Sequence, residues 1–387
     1  METRKLYYED AYLQEFTAKV VDCQEKKGGF AVELDATAFY PEGGGQPCDL
    51  GVLGESKVLD VQEQGEKVIH LCDKPLEVGA TVAGKIDWQR RFDLMQQHTG
   101  EHIVSGIAHK MFGCHNVGFH MGADVITVDL DTLIPPEKLD EIEQQANEAV
   151  WQDLDVSCSY PAEQELKALP YRSKKELPWP VRIVQAPGYD TCACCGLHVK
   201  TTGQIGLVKL LSCVKFHEGV RIEMVCGGRA LEMMRKIYEQ NRQVSQAFSA
   251  KIHETGAAAR RMNEALVAEK QRSAELEKQL FEKIAEDFTD RGDVVYFASG
   301  LNPNGLRELT ERIARRCGGT AAVFTGDEER GNVCIIGEKE TVSAMGKVVR
   351  EQLSGKGGGK PGFFQGSLQA TKQAICQALA IKDENCD

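Results

Sequence analysis

Residues 88–112, WQRRFDLMQQHTGEHIVSGIAHKMF, decide the fold. The pattern recurs at helical spacing through Phe92, Met95, His98 or Thr99, His102 and Ile103, and it begins at Asp87, where a strand-like alternation stops. His98 and His102 stand four apart, so both imidazoles leave one face of the helix a turn apart. Ninety-two residues after His102, CCGLH repeats that spacing with Cys194 and His198. The two pairs make a Cys/His₃ donor set, soft enough for zinc and suited to tetrahedral coordination, with Cys192 and Cys195 as alternative sources of the sulfur. Taken singly, either pair reads more plainly as core residues of an amphipathic element. Four protein ligands close a zinc site as structural sites are closed, whereas an activated water needs an open position.

Upstream, from Leu6 to about Lys85, AKVVDCQ, FAVELDA, GVLGESKVLDVQEQ and KVIHLC are β-branched and partly alternating, with Gly and charged turn signals between them. A small β-barrel or sandwich is expected. Within it lies FYPEGGGQPCDLG, residues 39–51. Its consecutive Gly43, Gly44 and Gly45 let a backbone or ligand approach closely, with N–H groups able to point at one oxygen; a tight turn between strands is the alternative. The spaced glycines and Lys-Ser/Thr of nucleotide loops are absent. Downstream, strands are expected near Val125 to Leu130, in VRIVQA, GQIGLVKLLSCVKF and RIEMVCGGR, with a helix after Pro135 and Pro136. From about Ala230 to Phe288 there is no proline, and an imperfect coiled-coil seam runs through Leu231, Met234, Tyr238, Phe248, Ile252, Ala259, Met262, Leu266, Leu276 and Leu280. Gly256 is the expected break between two helices of a hairpin. Beyond Asp290 strand and helix alternate to the end, as in a compact α/β domain. The predicted class is α+β: a barrel domain over 1–90, a zinc-containing domain over 91–229, a helical arm over 230–290 and a C-terminal α/β domain over 291–387.

Composition bounds what such a chain does. Its 387 residues suit two to four domains. With 42% hydrophobic and 27% charged residues it is neither disordered nor collagen-like. No apolar run approaches the roughly 18 residues of a membrane span. METRKLYYED has no signal-peptide core, so the expected setting is the cytoplasm, where fourteen cysteines stay mostly reduced and a Cys/His cluster suggests metal before disulfide. A net charge of −12 excludes gripping nucleic acid by bulk charge. The excess is uneven, because residues 291–387 hold 13 Lys+Arg against 12 Asp+Glu.

TAFYPEGGGQPCDLG, HTGEH, CCGLHVKTTGQIG and RIEMVCGGRAL follow one another in the order seen in the editing half of alanyl-tRNA synthetases, and the chain resembles the freestanding alanyl-tRNA editing proteins (AlaX type). VGFHMGADVITVDL, residues 117–130, is similar to the family's strand after the first zinc helix, and the hairpin with GKGGGKPGFFQGS is similar to the DHH-associated domain of the same synthetases. The resemblance covers nearly the whole chain. It implies a hydrolase that removes serine, or glycine, from mischarged alanine tRNA, with one zinc ion at the positions matching His98, His102, Cys194 and His198. It also implies that Gly43, Gly44, Gly45 and Gln46 line the aminoacyl pocket and that Thr37 reads the serine hydroxyl. The pattern departs at Cys195 and Leu197, in place of a glycine and a threonine, and at Gly100 and Glu101; both changes lie beside ligands, not on them.

The chemistry is consistent with that resemblance. An aminoacyl ester is already activated toward water, and a site that pairs a buried hydroxyl rejects alanine by roughly 10⁴-fold because its own polar groups would be left unpaired. Thr37 and Gln46 are the candidates for that catalytic pairing. Glu101 is a candidate base, but as the helix neighbour of His102 it is expected to point elsewhere. Arg221 and Glu223 alternate with apolar neighbours on a strand, facing either the tRNA terminus or solvent. Lys356, Lys360, Phe363 and Phe364 form a basic, aromatic loop fit for RNA. No aminoacylation domain fits before Tyr7, so editing without charging is expected, in a chain that pairs with a second copy through residues 230–290. A non-catalytic RNA-binding protein with structural zinc, and a deacylase of the threonyl branch, are the other readings.

Overall fold

Six strands in residues 15–86 close on themselves as a barrel: β1 (Glu15–Lys26), β2 (Gly29–Leu34), β3 (Gly51–Leu53), β4 (Ser56–Gln64), β5 (Lys67–Cys72) and β6 (Thr81–Ile86), joined around the wall in the order β1-β2-β5-β4-β3-β6. Their inward positions, among them Val20, Val32, Leu34, Leu53, Val61 and Val68, are almost fully buried and fill the barrel as alternation requires. Polar residues are buried with them, among them Thr37, Ser56 and His70. His70 is 0% exposed, its Nδ1 donates to Val32 O at 3.1 Å and its Nε2 accepts the Thr37 hydroxyl at 2.8 Å. The structure is a computed structural model that describes residues 2–173, 177–326 and 330–379. It divides into two units, Met1–Gln243 and Val244–Asp387.

The helix that follows the barrel, α1 (Trp88–Phe112), starts at Asp87, whose side chain accepts from Arg90 N at 3.1 Å. Its first two turns are amphipathic, but residues 97–108 are buried without interruption, so this half has no solvent face. Around it lie a four-stranded antiparallel sheet and a small three-stranded one. The first comprises β7 (Asn116–Met121), β8 (Ile126–Leu130), β12 (Val208–Phe216) and β13 (Gly219–Cys226), in the order β12-β13-β8-β7. The second is β9 (Ser157–Ser159), β10 (Ile183–Ala186) and β11 (Asp190–Ala193). Ile103 and Ile107 of α1 share one core with Val128 of β8, Met224 of β13, and Ile142 and Ala146 of α2 (Leu139–Gln152). A buried ion pair couples α1 to the barrel. The Arg91 guanidinium is bidentate on Asp49, both 0% exposed, and also donates to Ala38 O at 2.6 Å and Ala11 O at 2.8 Å.

A proline-free helix, α3 (Gly227–Ala247), leaves β13 and ends at Phe248–Ser249, where Ser249 takes φ +49°. The next helix, α4 (Thr255–Glu286), carries Gly256 inside its first turn, so the expected break at Gly256 lies several residues earlier. The second unit continues with a five-stranded mixed sheet of β14 (Gly292–Ala298), β15 (Gly318–Gly326), β16 (Gly331–Ile336), β17 (Lys356–Gly358) and β18 (Phe363–Leu368), ordered β14-β15-β16-β18-β17. Phe281 and Ala285 of α4 pack with Leu306, Leu309 and Ile313 of α5 (Pro303–Cys317) on one face, while Val342 and Val349 of α6 (Lys339–Gln352) cover the other. The basic, aromatic loop expected around residues 356–364 is instead a strand pair: Gly357 pairs with Gly366, and Phe364, 4% exposed, is core rather than a stacking platform. Lys360 is exposed at its turn.

Burial pushes the His70 imidazole down to about 4. From pH 6.5 down to 4 the unfolded chain therefore takes up a proton that the folded barrel refuses, and up to about 3 kcal/mol of stability is lost on acidification. The difference in unfolding free energy between the parent chain and His70→Gln should shrink as pH falls from 7 to 4.5, measured by urea titration; a difference that stays constant contradicts the neutral, Thr37-bonded imidazole.

Candidate metal centre

The i, i+4 spacing on α1 and the turn after β11 bring His98, His102, Cys194 and His198 together, with all their ligating atoms within 4.8 Å of one another. Ring centroids stand 4.6 Å apart for His98 and His198, and 4.7 Å for His102 and His198. Each imidazole is oriented by a different neighbour through Nδ1. His98 donates to Gln46 Oε1 at 2.8 Å and His102 to Asp190 Oδ2 at 2.9 Å. His198 Nδ1 lies 3.2 Å from Thr99 Oγ1, whose own proton goes to Met95 O at 2.8 Å, so His198 is the donor. Three Nδ1–H tautomers follow, and three Nε2 lone pairs face one sulfur. His198 Nε2 is buried with no partner.

That orphaned nitrogen and the donor set fit a zinc ion. Burial alone would push the Cys194 thiol up, but the neighbouring His98 and His102 outweigh it and hold the thiol well below its ordinary range. Burial pushes His198 down to about 3, keeping it neutral. His102, Asp190 and Cys192 also converge, yet burial pushes the Cys192 thiol up to about 11, and Arg172 holds Asp190 at 2.7 and 2.9 Å. Cys194 is therefore the sulfur of the set.

The ligand loop is braced by its own backbone. Arg182, 7% exposed, donates to Cys194 O at 2.9 Å and Gly196 O at 2.8 Å and lies over the Tyr8 ring, whose hydroxyl donates to Cys195 O at 3.0 Å. A Cβ at Gly196 would stand 2.0 Å from His98 Cε1, so only glycine admits that ring. Gly44 and Gly45 (φ +60° and +83°) form a turn closed by Gly43 N to Gln46 O at 3.1 Å and Gln46 N to Gly43 O at 3.0 Å. A Cβ at Gly45 would lie 2.7 Å from the Phe119 ring. Gly44 and Gly45 open, with His98, His102 and Cys194, onto a cavity of about 550 Å³.

A family model described as tRNA synthetases class II (A) matches residues 3–90, one described as the threonyl and alanyl tRNA synthetase second additional domain matches 181–229, and one for the DHHA1 domain matches 292–384. The Danio rerio alanyl-tRNA editing protein Aarsd1 is 30% identical over 392 residues, 96% of this chain and 95% of its own. The chain belongs to the alanyl-tRNA editing proteins. The alanine–tRNA ligase of Pyrococcus abyssi is 31% identical over 396 residues, covering 96% of this chain but 43% of the ligase. The solved C-Ala domain of Aquifex aeolicus alanyl-tRNA synthetase aligns with 24% of the chain at 22% identity and a TM-score of 0.20, too low to carry an argument.

Other residues expected at the site are placed differently. Thr37 is fully buried, its proton committed to His70 and its oxygen accepting Phe39 N at 3.1 Å, so it has no free proton for a substrate. Gln46 spends Oε1 on His98 and on Leu197 N at 3.0 Å, which makes it first a positioning residue for the metal ligands; its Nε2 is buried and unpartnered. Arg221 is bidentate on Asp129 at 2.6 and 2.8 Å and covers the Phe216 ring, and it does not line the cavity. Lys360 belongs to the second unit. Glu101, expected to point away, lines the cavity. Sequence reasoning also passed over Asp190, Arg172, Arg182 and Asn116. The available signal was Asp190 itself, an acid four residues before Cys194 on the strand that delivers it.

Removing the carboxylate that orients His102, by Asp190→Ala, should weaken Zn²⁺ affinity about 10–100-fold, read by competition with a chromogenic chelator. Unchanged affinity would show that Asp190 serves only Arg172.

Proposed function

We propose that the chain hydrolyses the ester joining serine, or glycine, to alanine tRNA, with His98, His102, Cys194 and His198 holding one zinc ion. Two things support this reading: membership of the editing family, and three imidazoles locked by Nδ1 partners so that every Nε2 faces Cys194 beside a cavity of about 550 Å³. The second observation carries it. In that place the ion, when bound, supplies Lewis acidity and an anchor for the acyl group. The rest falls to the protein. Phe119, Leu177, Pro178, Pro180 and Val181 wall the cavity with apolar surface that limits bulk water. The Gly44–Gly45 turn brings backbone, without side chains, to its edge. Water adds its oxygen to the ester carbonyl carbon, the bond to the ribose oxygen breaks, and a proton passes to that oxygen. The amino acid leaves as a carboxylate, and the second proton of the water is released to solvent.

Alanine is spared through hydrogen bonding, because it is smaller than serine and cannot be excluded by size. With Thr37 committed to His70, the unpartnered Nε2 of Gln46 is the donor left of the expected pair, but Gln46 is wholly buried and, like Gly43, does not line the cavity, so a serine hydroxyl meets it only if that side chain shifts; alanine would leave it unpaired. The exposed apolar residues of the helical arm, including Leu231, Met234, Met262, Leu266, Leu276 and Leu280, suit pairing with a second copy. The cytoplasmic setting expected from the sequence goes with this reading.

The test is deacylation of alanine tRNA carrying serine, glycine or alanine, alongside threonine tRNA carrying serine. Hydrolysis of the first two, sparing of alanine and loss of turnover with zinc in Cys194→Ala are expected. Tight tRNA binding with no turnover on any substrate would make the zinc structural and the reading wrong.

A further inference from the structure

Four acidic side chains among the described residues are buried: Glu33, Asp49, Glu101 and Asp190. Three have a cation. Glu33 meets Lys67 at 2.8 Å, Asp49 is paired with Arg91, and Asp190 meets Arg172 at 2.7 Å. Glu101, 4% exposed, has none within ion-pair distance among the described residues. The two guanidinium groups that line the same cavity are spent elsewhere, Arg172 on Asp190 and Arg182 on the carbonyls of Cys194 and Gly196. A carboxylate withdrawn from water without a counter-charge is costly, so the cation it awaits is one that arrives.

The arrangement around Glu101 specifies what arrives. Ser105 Oγ and Asn116 Nδ2 both donate to Oε1, each at 2.5 Å. These bonds leave Oε2 unengaged and fix the amide of Asn116, because a carboxylate oxygen accepts only from its NH₂. Asn116, 8% exposed, also lines the cavity, and its Oδ1 is buried without a partner. One cavity thus presents two unsatisfied acceptors, one of them charged, beside the zinc ligands His98 and His102. A hydroxyl offers one proton and no charge. An ammonium offers three protons and the missing charge.

We propose that Glu101, with Asn116 Oδ1, receives the α-ammonium of the aminoacyl ester and restricts the site to esters with a free amino group. This rests on the deacylase reading above and deepens it. Both serine and glycine carry the group, so the contact selects the class of substrate, while the side chain is read elsewhere.

The experiment compares alanine tRNA carrying serine with the same tRNA carrying glycerate, in which hydroxyl replaces the amino group, using zinc-loaded full-length chain. The parent should prefer the seryl ester. Glu101→Gln, which keeps shape and loses charge, should lower kcat/KM for the seryl ester about 10- to 100-fold, as expected for a charge-assisted hydrogen bond, and leave the glyceryl ester nearly unchanged. Its zinc content should match the parent's, and Glu101→Asp should recover part of the preference. Equal losses on both esters, or loss of zinc, would overturn the proposal by making Glu101 a counter-charge for the metal. Failure of the parent on both esters would instead overturn the deacylase reading, and the proposal with it.

Discussion

One guanidinium ties the two halves of the site together. Arg91 lies on α1 seven residues before His98, and its partner Asp49 lies four residues after Gly45. Both are wholly buried, and Asp49 also accepts Tyr40 N at 2.6 Å, so the chain around the glycine turn is held to a fixed point on α1. Separating such a pair would leave an uncompensated charge in the interior, at about 3–5 kcal/mol. The barrel therefore cannot slide along α1. With that register set, Gln46 reaches both His98 Nδ1 and Leu197 N, which joins the barrel, the helix and the ligand loop at one oxygen. The candidate metal ligands are positioned by contacts that span 42, 52 and 151 residues of sequence.

Those spans explain what could be read from sequence and what could not. His98 and His102 were legible because helical geometry is local: four residues make one turn. Cys194 and His198 were legible as a repeated spacing. Arg172 and Arg182 were not, since an arginine beside apolar residues reads as a solvated face until the fold supplies its partner. Arg221 makes the same point: Asp129 stands directly opposite it across β8 and β13, and strand register is not written in either strand alone. Thr37 was assigned a substrate role by resemblance, and barrel closure supplied His70 opposite its hydroxyl.

Glu101 was misplaced for a different reason. A residue next to a ligand is rotated by about 100° on an ideal helix, which on a half-exposed helix would aim it away from the metal. Residues 97–108 of α1 are buried on every side, however, so no direction leads to solvent. Glu101 stands one turn after His98 and one turn before Ser105, and the cavity is broad enough to take both Glu101 and His102. The error lay in the assumed exposure of the helix and not in its periodicity.

The same accounting bears on how an acidic chain holds RNA. Arginine is used here mainly as an internal strut: Arg91, Arg172, Arg182, Arg221 and Arg229 each commit their planar forks to carboxylates or carbonyls of the first unit. Arg221, the one of these expected at the tRNA terminus, is paired with a carboxylate, as are Arg91, Arg172 and Arg229, while Arg182 is held by carbonyls. Lysines are placed otherwise. Lys110 lies over the Tyr189 ring and donates to Gly188 O, Lys200 lies over the Tyr12 ring and meets Asp10 at 3.6 Å, and Lys360 is exposed at the β17–β18 turn. A net charge of −12 is thus compatible with a polyanionic substrate only where such point charges gather locally.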